Sequence, residues 1–220
     1  MKLFVSVFVY NAVRSGAFTG DPSEDSKRVP GVKTLTRLAA LGHDVSPERT
    51  AFLATPRIAL ARSRASGLAL KSGADLWVTI DEDVDASSDA LFALCGFDHT
   101  YVTIAAMGLR DRSGLNVEWS RARPSGADHA SVKRGGVALA AIPLVALRRI
   151  ADYHASLRFD DDEKAAGKDC PALFFETIEG RVWKGEDYKF CERAWEAGVG
   201  VQAFVHRGVT HNGIPNSEVM

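Results

Sequence analysis

Two apolar rhythms alternate along the first hundred residues. Phe4 to Val9 and Leu76-Trp77-Val78-Thr79-Ile80 are short, almost continuous apolar runs, the pattern of strands covered on both faces. Between them the spacing turns helical. Val32, Leu35, Leu38, Ala39 and Leu41 predict a short amphipathic helix stopped by Gly42, and Ile58, Ala61, Ala65 and Leu68 predict a second. That second helix has Thr55 as an expected cap, Pro56 in its expected first turn, and Gly73 beyond its end. A further helix is expected from Ser87 or Ser88 through Leu91, Leu94 and Cys95, followed by a strand from Tyr101 to Ala106. Residues 11–31, rich in Gly, Ser, Asp and Pro, read as a long loop at the carboxyl end of the first strand.

After residue 108 the alternation breaks. Residues 109–134 are polar, with Arg121, Arg123, Lys133 and Arg134 against few acids, and read as a mobile loop or a hairpin. Val137 to Ile142 is an expected strand, with a helix from Pro143 through Ile150. Residues 158–169 are a charged turn, Ala172 to Thr177 a strand, Glu186 to Ala197 a helix stopped by Gly198, and Val199 to Val205 a last strand. Strands interleaved with helices predict an α/β fold with a mostly parallel central sheet flanked by helices. No repeat or linker divides the 220 residues, so the expectation is a single domain.

Composition narrows the partners. Lys and Arg total 27 against 28 Asp and Glu, a net charge of -1, so no global field draws the chain to nucleic acid or to a membrane surface. Cys95, Cys170 and Cys191 are widely spaced and form no zinc-binding pattern, which fits a reducing cytoplasm. The apolar start carries one basic residue and no small-residue cleavage site, and no apolar run approaches the roughly 18 residues of a membrane span.

Three places carry candidate chemistry. Asp81-Glu82-Asp83 follows a buried strand directly, at the sheet edge where open α/β folds bind ligands, and carboxylates two apart can serve Mg²⁺ or Mn²⁺. The plainer alternative is a solvated turn before the next helix. Asp160-Asp161-Asp162 has the same spacing without a buried strand before it, and reads as surface. Glu186 and Asp187 open a helix whose macrodipole favours their ionised form. They are candidates for a general base, or ordinary helix-start electrostatics. His211, before Asn212-Gly213, could complete a metal's coordination or be an exposed side chain; His206 is a lesser candidate.

Taken together, these blocks resemble the GT-A glycosyltransferases, most closely small family-two-like enzymes of bacteria and phages. The resemblance runs from the strand Lys2 to Tyr10, through Ala61-Arg62-Ser63-Arg64-Ala65 and Ser72 to Asp83, then Gly135 to Ala140 leading into a helix, to Lys184 to Cys191 with His211 downstream. It implies a Rossmann-like GT-A domain in which residues 1–107 bind the nucleotide-sugar and residues 108–220 supply the acceptor and catalytic half. Asp81, Asp83 and His211 would be the metal site, and Asp187, or else Glu186, the base of an inverting displacement. Val9, Tyr10, Asn11, Arg62, Arg64, Asp81, Glu82, Gly135 and Gly136 would line the donor site. The cofactors implied are Mn²⁺ or Mg²⁺ and a nucleotide-sugar, a UDP-sugar first among them. Val9-Tyr10-Asn11 lacks the acidic residue that often follows the first strand to hold the nucleobase. The basic run of residues 121–134 suggests an acceptor hydroxyl on a hydroxymethylated base, 5-hydroxymethylcytosine in phage DNA, and no membrane partner. The rivals are a nucleotidyltransferase acting on sugar phosphates, for which Ser15 to Asp21 is a faint echo of a triphosphate loop, and a non-catalytic nucleotide- or carbohydrate-binding module.

Overall fold

The computed structural model describes residues 1–96, 99–109, 114–121, 129–161 and 166–215. Strand β1 (Leu3–Phe8) is buried along its whole length. The stretch after it, expected as loop, folds into two short helices, α1 (Tyr10–Arg14) and α2 (Pro22–Asp25), before helix α3 (Pro30–Ala40). The composition that reads as loop is what makes α2 possible, because Asp21 caps it through Ser23 N and Pro22 takes its first position. Buried Asp25 then ties the loop down by accepting from Thr19 N at 2.8 Å and Gly20 N at 2.9 Å.

Strand β2 (Thr50–Leu53) has no sequence signal, being only four residues with mixed burial at the sheet edge. Helix α4 (Ile58–Lys71) starts later than expected. Thr55 does not cap it; Thr55 Oγ1 accepts from Arg57 N at 3.5 Å, ahead of the helix. Strand β3 (Leu76–Asp81) ends in the acidic turn, short strand β4 (Val84–Ala86) follows, and helix α5 (Ser88–Gly96) leads to β5 (Val102–Ala105). Residues 109–134 contain the expected hairpin pairing, with β6 (Val117–Trp119) antiparallel to β7 (His129–Gly135). Arg123 lies outside the described residues.

Strand β8 (Leu139–Pro143) feeds helix α6 (Leu144–Tyr153), and the small antiparallel pairs β9 (Arg158–Phe159) with β10 (Cys170–Pro171) and β11 (Thr177–Glu179) with β12 (Val182–Lys184) follow. The strand expected over Ala172 to Thr177 is instead a turn that buries Leu173 and Phe174 completely. An apolar run without periodicity cannot distinguish the two. Helix α7 (Glu186–Glu196), strand β13 (Val201–Phe204) and the pair β14 (Val209–His211) with β15 (Ile214–Pro215) complete the fold.

The central sheet has eight strands in the order β2-β1-β3-β8-β5-β13-β7-β6. Parallel pairs join β2, β1 and β3, and again β5 and β13, while β8 and β7 run antiparallel to their neighbours, so the fold is α/β with a mostly parallel sheet. One apolar cluster joins α4, α6 and α7 to one face, and another joins α3 and α5 to the opposite face. Three rings link the first face. Phe174 stacks on Phe190 of α7 at 4.3 Å between centroids and meets the edge of Trp77 of β3 at 6.0 Å. The same turn bridges α4 and α7, with Phe174 N donating to Ser63 Oγ of α4 and Arg193 of α7 donating to Leu173 O.

Candidate active site

In-register pairing of β1 with β3 sets Phe8 opposite Asp81, and pairing with β2 sets Phe8 opposite Leu53. The carboxyl ends of three parallel strands thereby meet at one rim, the position where α/β sheets bind ligands. A cleft of about 230 Å³ opens there, lined by Phe8, Tyr10, Asn11, Leu53, Asp81 and Asp83 among others. A larger cavity of about 580 Å³ lies between β7 and α7 and is lined by Glu118, Lys133, Arg134 and Trp195. The rim cleft is the candidate site because the carboxylates gather there.

Arg62 stands at the centre. Its side chain is 2% exposed, and its two terminal nitrogens reach carboxylates from two distant parts of the chain. Nη2 donates to both oxygens of Asp81, at 3.0 and 3.1 Å, while Nη1 donates to Glu186 Oε1 at 2.8 Å and to Asp187 Oδ1. The guanidinium also lies 5.7 Å from the centroid of the Phe8 ring. Asp187 is fixed from its other side, because Val137 N donates to its Oδ2 at 3.2 Å. Burial pushes the Asp81 carboxyl up to about 6, with Arg62 opposing the shift and Asp187 and Asp83 adding to it. Glu186 is raised as well, by burial and then by Asp187.

A second pair forms beside the first. Antiparallel pairing of β14 with β4 sets His211 opposite Val84, and Asn212 N donates to Asp83 O at 3.0 Å. The turn bends through Asn212 (φ 52°) and Gly213 (φ 75°), both in the left-handed region, as Asn-Gly invites. His211 Nε2 then lies 3.4 Å from Asp83 Oδ2, and that carboxylate raises the imidazole's pKa. The Asp83 carboxylate is an oxygen donor that Mn²⁺ or Mg²⁺ would accept, while the His211 imidazole is a nitrogen donor that would suit a transition metal such as Mn²⁺ better than Mg²⁺. Among the described residues no cluster of three His, Cys, Asp or Glu side chains is arranged for a metal ion. Both oxygens of Asp81 accept from Arg62.

The remaining sequence candidates divide. Glu82 holds the start of α1 by accepting from Asn11 N at 3.2 Å and Ala12 N at 2.8 Å. Tyr10 and Asn11 line the cleft, whereas the Val9 side chain is fully buried in the core and does not line it. A Cβ on Gly136 would stand 2.5 Å from Asn116 Nδ2, so this glycine lets the chain pass against the Asn116 amide, with Asp187 Oδ2 at an ordinary contact distance of 3.6 Å. Gly135 serves packing instead; a Cβ there would meet Ile104 and Val117 within 2.7 Å.

Arg64 corrects an expectation. Two residues along a helix lie about 200° apart around its axis, so Arg62 and Arg64 face opposite ways. Arg64 is buried against Asp161, with Nε and Nη2 at 2.8 and 2.7 Å from Oδ1, and does not reach the cleft. Asp161, expected as surface, is therefore a buried counter-ion, while Asp162 lies outside the described residues. Sequence reasoning also missed Asn116, whose Oδ1 accepts from Met107 N at 2.8 Å and whose amide group abuts Gly136. No spacing signal marks such a residue. The basic run is partly neutralised, because Lys133 and Arg134 both pair with Glu118.

No family model and no curated protein matches the sequence. Among solved structures, the chain is similar to A197 from STIV, at 15% identity and a TM-score of 0.51 over 93% of this chain and 82% of that one. It is also similar to mannose-1-phosphate geranyltransferase from Thermus thermophilus, at 17% identity and a TM-score of 0.53 over 93% of this chain and 74% of that one. At these identities the likeness is one of fold, and it agrees with the GT-A-like α/β architecture.

Proposed function

We propose that the chain is a metal-dependent glycosyltransferase that moves a sugar from a nucleotide-sugar, a UDP-sugar first among candidates, to an acceptor hydroxyl with inversion. The observation that carries the reading is the convergence, at one sheet rim, of a carboxylate pair that opens a helix with an Asp–His pair beside a cleft. An inverting displacement needs base and leaving group on opposite faces of the sugar. Nucleotide and diphosphate would occupy the cleft at the ends of β1 and β3, where Tyr10 and Asn11 flank the base. Asp83 and His211 would hold Mn²⁺ or Mg²⁺. When bound, the ion neutralises charge on the departing diphosphate.

Asp187 is the base. Each of its oxygens already accepts one hydrogen bond and keeps a further lone pair for the acceptor's proton. As the acceptor oxygen bonds to the anomeric carbon, its proton passes to Asp187 and the bond from that carbon to the diphosphate oxygen breaks, releasing a nucleoside diphosphate. Glu186 shares Arg62 with Asp187 and is the second candidate for this role.

A nucleotidyltransferase would need backbone amides after β1 free to grip a triphosphate. Those of Asn11 and Ala12 are taken by Glu82, which favours the sugar-transfer reading. The pairing of Lys133 and Arg134 with Glu118 favours a neutral hydroxyl acceptor over hydroxymethylated DNA, which binding to modified duplex at rising salt tests directly. The deciding experiment incubates the protein with a panel of sugar nucleotides, with and without Mn²⁺, and follows release of nucleoside diphosphate. Release of pyrophosphate from nucleoside triphosphate and sugar phosphate, with none from sugar nucleotides, would replace this reading by the nucleotidyltransferase one.

A further inference from the structure

The guanidinium of Arg62 touches both halves of the site. Asp81 lies 19 residues away along the chain, Glu186 and Asp187 lie 124 and 125 residues away, and all three carboxylates close on one nearly inaccessible cation. An arginine with no acidic neighbour could serve the nucleotide, which is what sequence alone suggests for Arg62. This one has both terminal nitrogens engaged. Among the described residues, Arg62 Nε is the one buried side-chain nitrogen or oxygen without a hydrogen-bond partner.

We propose that Arg62 is a positioning residue: a clasp between β3 and α7 that sets the distance from the donor-side carboxylate Asp81 to the base Asp187 and turns one lone pair of that base toward the acceptor. The proposal rests on the glycosyl-transfer reading for its catalytic consequence, but the clasp itself is a property of the fold. Three carboxylates at one rim repel one another, and without a shared cation the start of α7 would move away from the end of β3. A planar fork is required, because Nη1 and Nη2 serve different walls at once, and a lysine ammonium can favour one wall only. The clasp also divides labour within the acidic turn. Asp81 faces inward to Arg62, leaving Asp83 and His211 to face a cation.

The test has two arms. In the first, thermal melting of the metal-free protein is compared for Arg62→Met, Asp187→Asn and the double variant. Coupling is expected: Arg62→Met should lower the melting temperature by about 5 °C or more in the parent, and by markedly less where Asp187 is already neutral. Equal shifts in both backgrounds would overturn the clasp. If Arg62→Met does not fold, Arg62→Lys takes its place in the same cycle. In the second arm, Arg62→Lys is assayed for transfer. Loss of about tenfold or more in kcat, at a donor KM within about twofold of the parent, supports positioning. An unchanged kcat, or a raised KM at unchanged kcat, would overturn it, the latter making Arg62 a donor contact. Should the parent transfer no sugar, the glycosyltransferase reading falls while the melting cycle still decides the clasp.

Discussion

At the scale of single residues, the site is a matter of which polar groups are already engaged. Asp187 is held on one oxygen by Arg62 and on the other by Val137 N, so Asp187→Asn keeps the size, gives up one of these bonds because its amide nitrogen cannot accept, and removes the proposed proton acceptor. Its transfer rate is expected to fall by about 10²–10⁴ with donor binding retained, as steady-state rates and calorimetry with a sugar nucleotide would show. His211→Ala should weaken Mn²⁺ binding by about tenfold or more, read by titrating the ion in the presence of nucleoside diphosphate; unchanged affinity would remove His211 from the metal site. The cysteines make a contrasting case. Burial pushes the thiols of Cys95 and Cys191 up to about 12 and raises Cys170 as well, so all three stay mainly protonated at neutral pH. A disulfide reagent is expected to label none of them rapidly until denaturant is added. The acids are legible at this scale because each follows a recognisable strand end or helix start. Arg64 is not, because Arg62 and Arg64 look alike in a string and differ only in the side of the helix on which each emerges.

At the scale of elements, helix α3 braces the acidic turn from behind. Gly31 N donates to Glu82 O at 3.0 Å, and a Cβ on Gly31 would stand 2.5 Å from Asp81 O. Gly31→Ala should therefore cost about 1–3 kcal/mol through overpacking and disturb metal binding together with stability, measured by denaturant unfolding and Mn²⁺ titration. The β11–β12 hairpin leads directly into helix α7 and is tied down by Lys184 and Lys189, both on Glu179 and Glu192. Those lysines hold the Glu179 carboxyl down to about 2. Its depressed value means that the tie is fully present above the ordinary carboxylate value of 4.5 and is lost as pH falls toward 2. Protection of the hairpin amides, relative to their intrinsic exchange rates, should fall as pH drops through that window, and Glu179→Gln should flatten the change. Long elements with clear periodicity, such as α3, α7, β1 and β3, can be read from sequence. Strand β2, helix α1 and the buried turn at Leu173 and Phe174 cannot, because each is too short to show a period and is stabilised by neighbours distant in the chain.

At the scale of the whole molecule, the sheet order brings together the ends of β1, β3 and β14 and the start of α7. The reading depends on Asp83, Asp187 and His211 sharing one cleft, and Asp83 is the one of the three among its lining residues. Asp81 and Asp187 meet through Arg62, and Asp83 meets His211 across paired strands. What the string does not carry is the choice of intermediary. Nothing in its spacing says that an arginine, rather than an ion, joins Asp81 to Asp187. Among the described residues no helix is long and apolar enough to cross a membrane.

The pairing of β14 with β4 also orders events in time. A ribosome makes Asp83 early and His211 about 130 positions later, so the two cannot meet until residue 211 has left the ribosome. Any chemistry that needs both side chains would have to wait for that step of biosynthesis.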